Sequence, residues 1–114
     1  MKTKNYLMRV ISRKSTFTLA RGEDIGNGLA VVRIFHELEA IKNSWCIIDV
    51  ASGLTAGVTH QSSKVKAMEK YAELSCTAKW KSDVQRARSG GSYKTRCQEL
   101  ENEMKIWRQS GYVF

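Results

Sequence analysis

From Ser44 onward, apolar and polar positions alternate with a period of two. Trp45, Ile47 and Asp49 share one phase, Cys46, Ile48 and Val50 the other, and Leu54, Ala56 and Val58 resume the alternation beyond Ala51-Ser52-Gly53. This predicts a β-hairpin whose Gly53 can take the positive φ of a bulged loop. A carboxylate just before such a turn can accept its N–H groups, which is the role expected of Asp49. After Thr59 the period lengthens. Val65, Met68, Ala72, Cys76, Trp80, Val84 and Ala87 recur at spacings of three and four, one stripe of a single long helix with Ser62 or Ser63 as its N-cap. Ser89-Gly90-Gly91-Ser92 ends that helix, with glycine able to adopt the left-handed cap and Ser92 able to cap the next helix. Tyr93, Cys97, Leu100, Met104 and Trp107 then carry a C-terminal helix, supported by the i,i+4 pair Glu101 and Lys105. The aromatics of Gly111-Tyr112-Val113-Phe114 could pack back on the body or stand out as a hook.

Upstream, Asn5 to Leu19 alternates as one strand or two short ones. Arg21 to Gly28 holds Gly22, Gly26, Gly28, Asn27 and two acids, which reads as a flexible surface loop. It has no Gly-Lys-Ser/Thr, and its acids would repel phosphate, so it is not read as a phosphate cradle. Leu29 to Ile41 is rich in β-branched residues yet could also continue as a helix; a strand ending near Glu37, followed by a loop into Trp45, is preferred because it completes a meander. The expected architecture is α+β: an antiparallel three- to four-stranded meander packed against a long helix and a C-terminal helix that together form an αα-hairpin, with residues 1–114 as a single domain.

Composition narrows the picture. With 114 residues and 42% apolar content the chain can build one modest core. No run is long enough for a membrane span, and Met1 to Arg9 lacks the apolar region of a signal peptide, so a cytoplasmic protein without membrane association is expected. Cys46, Cys76 and Cys97 are odd in number and widely spaced, which suggests reduced thiols packed in the core. The formal net charge is +8. It is concentrated before Glu23, where Lys2, Lys4, Arg9, Arg13, Lys14 and Arg21 meet no acid, and again where Lys79, Lys81, Arg86, Arg88, Lys94 and Arg96 meet only Asp83. Clusters of this kind attract polyanions at long range.

Catalytic chemistry finds little footing. The histidines are His36 and His60; His36 and Glu39 stand at i and i+3, but no third or fourth ligand has a diagnostic spacing, and no metal or other cofactor is expected. Cys46 with His36 and Asp49 lacks a strained elbow or oxyanion loop, so an enzyme is not the expected reading. Trp80 lies between Lys79 and Lys81. Its place on the apolar stripe favours burial between helices, while the flanking cations would let it stack on a base. The basic residues Lys79, Lys81, Arg86, Arg88, Lys94 and Arg96, with Arg9, Arg13 and Lys14 in support, form with Trp80 the candidate partner-binding surface. Contacts there would be phosphate-directed, salt-dependent and not sequence-specific.

Trp45 to Leu54, written W-x-I-x-D-x-x-S/T-G-L and continuing to Ser63-Lys64 at a helix start, resembles the hairpin-then-helix segment of small phage and prophage accessory proteins. The resemblance implies a mobile-element origin, a location in the host cytoplasm and action by binding. It leaves two expectations. One is a non-catalytic binder of nucleic acid or a host nucleoprotein. The other is a protein inhibitor that blocks a host defence or regulatory complex, anti-CRISPR-like or otherwise anti-defence. A basic chain argues against DNA mimicry. Oligomeric state is left open, homo-oligomerisation included.

Overall fold

The computed structural model describes residues 3–10, 16–34 and 44–114. Among them, strands β1 (Lys4–Val10), β2 (Thr16–Gly26), β3 (Leu29–Ile34) and β4 (Trp45–Asp49) form one sheet in the order β1-β2-β3-β4, every neighbouring pair antiparallel. Helices α1 (Lys64–Ser75), α2 (Ala78–Ser89) and α3 (Gly91–Gln109) come after the sheet. The fold is therefore α+β, a meander with its helices at the C-terminal end of the chain. The expected strand beyond Ile34, with His36 and Glu39, lies outside the described residues, as do Arg13 and Lys14. Among the described residues no helix is long and apolar enough to cross a membrane.

The glycine-rich stretch expected as a flexible loop is instead strand and tight turn. Strand β2 continues through Arg21 to Gly26, and the chain reverses at Asn27 and Gly28, with φ of 56° and 74°. Positive φ at both central residues matches the right-handed twist of the flanking strands, which is why Asn-Gly favours two-residue hairpins. Asp24 does not oppose this; its Oδ1 accepts the Gly26 N–H at 2.7 Å. Gly22 faces Val32 in the register, and a Cβ there would overlap the Val31 carbonyl oxygen, so β2 and β3 approach as only glycine allows.

Both faces of the sheet are buried. One carries Tyr6, Met8, Ala20, Ala30, Val32, Cys46 and Ile48. Met8 on β1 and Cys46 on β4 bring their sulfurs to 4.0 Å, and the Arg9 N–H donates to the Gly53 carbonyl at 2.8 Å. In a flat sheet the outer strands would stand roughly 14 Å apart. The sheet therefore coils until its edges meet around this cluster. The other face, with Leu29, Val31 and Ile47, packs against Val58, Ala67, Met68, Tyr71, Leu74 and Trp80 beneath α1 and α2.

After β4 the chain runs back along its edge in isolated bridges rather than a regular strand. Asp49 N–H donates to Leu54 O, Ala56 N–H to Ile47 O and Ile47 N–H to Val58 O at 2.7, 2.8 and 3.0 Å. Left-handed backbone at Gly57 and His60 interrupts the ladder. Ser63 caps α1 as expected, its Oγ accepting from Lys66 N–H at 3.1 Å.

The stripe read as one helix is carried by two. A straight helix from Ser63 to Arg88 would be roughly 38 Å long, more than twice the width of four strands. The chain breaks at Cys76 and restarts with Thr77 as N-cap: its Oγ1 accepts the Trp80 N–H at 3.2 Å and donates to Leu74 O at 2.7 Å. Trp80 thereby returns to the sheet, while Cys76, expected in the core, is exposed; Cys46 is buried and Cys97 half-buried. The α2–α3 junction is a single residue. Gly90 is extended rather than left-handed, ends α2 and serves as N-cap of α3, so Ser92 lies inside α3 instead of capping it. The C-terminal aromatics return to the body, with Tyr112 edge-on to Trp107 at 4.8 Å and Asn5 Nδ2 donating to Val113 O at 3.2 Å.

Candidate functional site

Asp49, at the end of β4, is the point to which the two later helices are tied. Its turn role is present: Ser52 N–H and Oγ–H donate to Oδ2 at 3.1 and 2.7 Å. To this are added the Tyr93 hydroxyl from α3 at 2.7 Å and, on Oδ1, the Arg88 Nε and Nη2 from α2 at 3.1 and 2.8 Å. Arg88 Nη2 also donates to the Asn27 carbonyl of the β2–β3 turn at 2.7 Å. Burial alone would raise the Asp49 pKa, but the bonds from Ser52, Tyr93 and Arg88 outweigh it and hold the carboxyl below its ordinary value. Tyr93 moves the opposite way: burial first, then its bond to the Asp49 carboxylate, pushes the phenol up.

Arg9 continues this network from β1. Only 5% exposed, it donates from Nε to Ser52 O at 3.1 Å and from Nη2 to Arg96 O at 2.8 Å, with its guanidinium 4.7 Å from the Phe17 ring centre. Ser52, fully buried, thus serves Asp49 with its donors and Arg9 with its carbonyl. It links β1 to β4, while α2 and α3 reach Asp49 itself.

The predicted basic residues divide accordingly. Arg9 and Arg88 are engaged inside the molecule, whereas Lys79, Lys81, Arg86, Lys94 and Arg96 are exposed. These five do not share one face. On α2, Lys79 and Arg86 flank Asp83, which lies 3.9 Å from Arg86, while Lys81 and Gln85 fall on the other side of the Trp80–Val84 line. Trp80 is half-buried against the sheet rather than between helices. Its Nε1–H donates to Ala56 O at 3.2 Å, and Tyr71 meets it edge-on at 5.7 Å.

An open groove of about 550 Å³ lies between the Asn27–Gly28 turn and α2. Leu29, Trp80 and Val84 give its apolar lining; Asn27, Lys81, Gln85 and Arg88 are among its polar lining, and no carboxylate lines it among the described residues. A second open groove of about 470 Å³ lies along α1 beside Val65, Met68 and Ala72, with Val65 66% exposed. Sequence reasoning missed Asn27, Gln85 and the inward commitment of Arg88. Asn27-Gly28 before an alternating run was the available signal for the turn; the Arg88 partner, 39 residues away, left none. Among the described residues no three His, Cys, Asp or Glu side chains gather as metal ligands would. No known protein family, curated protein or solved structure matches the chain.

Proposed function

We propose that the protein is a non-catalytic binding protein of phage or other mobile-element origin, working in the host cytoplasm, that engages nucleic acid or a nucleoprotein through the α2–α3 region. The observation that carries this reading is the sorting of cations: two arginines are consumed by the fold, while Lys79, Lys81, Arg86, Lys94 and Arg96 remain at the surface. Exposed lysine and arginine on a chain of net charge +8 fit phosphate contacts that fix position without reading sequence. The test is fluorescence anisotropy with a labelled mixed-sequence oligonucleotide. Binding is expected in low salt and falls linearly on a log–log plot as salt rises; no retention even at low salt overturns the reading.

A second reading, an inhibitor that blocks a host defence or regulatory complex, is favoured by the exposed Val65 of α1 beside the half-buried Met68. It predicts a stoichiometric protein complex, captured from host lysate, that survives nuclease treatment and is lost in Val65→Asp.

A further inference from the structure

We propose that the groove between the Asn27–Gly28 turn and α2 takes an unpaired nucleotide of a single-stranded nucleic acid, with the base against the half-buried Trp80 and Val84 and the phosphate at Lys81. The inference rests on the nucleic-acid reading above and narrows it to one strand state and one place. At about 550 Å³ the groove is within the range of sites that hold small organic groups, roughly 300 to 1,000 Å³. Its apolar lining includes part of an indole, and base–aromatic stacking tolerates any sequence because every base has a π-face. The Gln85 amide offers both a donor and an acceptor to a base edge. Lys81 is exposed and supplies the charge complementarity, and the absence of a lining carboxylate among the described residues leaves that charge unopposed at the groove.

The walls are already set. Trp80 is held by Ala56 O and by its T-shaped contact with Tyr71, and Arg88 is held by Asp49 and by Asn27 O. A ligand entering the groove therefore does not have to order these side chains, which lowers the cost of binding. A base inside a duplex cannot reach this lining without leaving its stack, an expense of a few kcal/mol that an unpaired base does not meet. The other cations of the α2–α3 region contact backbone phosphates of either form and do not distinguish them.

The test uses the full chain, a fluorescent single strand of mixed sequence, its duplex of equal length, and poly-glutamate as competitor. The single strand is expected to bind about tenfold or more tightly than the duplex, a margin that stacking of one base supplies. Lys81→Glu and Gln85→Glu, both at exposed positions, are expected to remove most of that preference with far-UV circular dichroism unchanged, whereas Lys94→Glu, away from the groove, weakens both forms to the same extent. Equal affinity for single strand and duplex, or equal loss in Lys81→Glu and Lys94→Glu, overturns the groove assignment while leaving the basic-surface reading in place. Displacement by poly-glutamate as effective as by unlabelled single strand also overturns it, since the groove would then recognise negative charge of any kind. Failure of both oligonucleotides to bind in low salt overturns the wider reading and this inference with it.

Discussion

Asp49 takes hydrogen bonds from a turn, from α2 and from α3 while remaining 8% exposed. A nearly buried carboxylate is tolerable only because the Arg88 guanidinium and the neighbouring donors replace its water. Asp49→Asn keeps the shape but weakens every charge-assisted bond and leaves Arg88 without its counter-ion. A loss of about 2 to 4 kcal/mol is expected, read from the urea midpoint. The same contacts set a pH signature. The folded pKa of Asp49 lies below its unfolded value, so its contribution is complete above about pH 4 and is lost as pH falls through the folded value. Tyr93 and Cys46 act at the other limb. Burial raises Cys46 to about 12 and the Tyr93 phenol is also raised, so both groups keep their protons longer when folded and stability declines above about pH 9. In Asp49→Asn the acid limb should flatten, since the titrating group is gone; an unchanged acid limb would place the sensitivity elsewhere.

Thr77 governs how the helices meet the sheet. It breaks the long apolar stripe and starts α2 so that Trp80 reaches Ala56. Thr77→Ala removes the cap and is expected to cost about 1 kcal/mol, whereas Thr77→Ser or Thr77→Asp should retain it; equal urea midpoints for Ala and Ser would show that the cap bond contributes nothing. The strand and turn after Ser44, the Ser63 cap and the turn role of Asp49 are legible in the sequence because each depends on residues within a few positions of one another; the second arm expected for the hairpin, Leu54 to Val58, pairs only in isolated bridges. The break at Thr77 is not, because the apolar spacing of three and four runs unbroken through Cys76 to Trp80, and only the contact of Trp80 with Ala56, 24 residues away, marks the change of direction. Nor is the reach of Arg88 and Arg9 into the interior: both look like surface cations in a basic stretch, and only the juxtaposition of Asp49, Ser52 and the α3 backbone reveals their roles. The β2–β3 turn escapes for a different reason. Two acids beside three glycines suggest solvent exposure and mask an Asn-Gly pair that specifies a hairpin.

At the scale of the whole molecule, charge has two separate uses, and the proposed function depends on keeping them apart. A cation that neutralises a phosphate releases a counterion, so each one removed lowers the salt slope of binding by about 0.9 on duplex DNA or about 0.7 on a single strand. An arginine bonded within the fold makes no such contribution while the protein remains folded. Lys79→Ala, Lys94→Ala and Arg96→Ala should therefore reduce the slope stepwise with little change in urea midpoint, since each side chain is exposed. Arg9→Met should do the reverse. Removing its bonds strips a partner from the buried Ser52 carbonyl and unties β1 from the Arg96 carbonyl of α3, which lowers the midpoint, while the slope, measured where the variant is still folded, stays at the parent value. The pairing of the two measurements is what discriminates: a reduced slope in Arg9→Met at full stability would move that arginine to the binding surface, and unchanged slopes in all three exposed variants would remove the α2–α3 region from it.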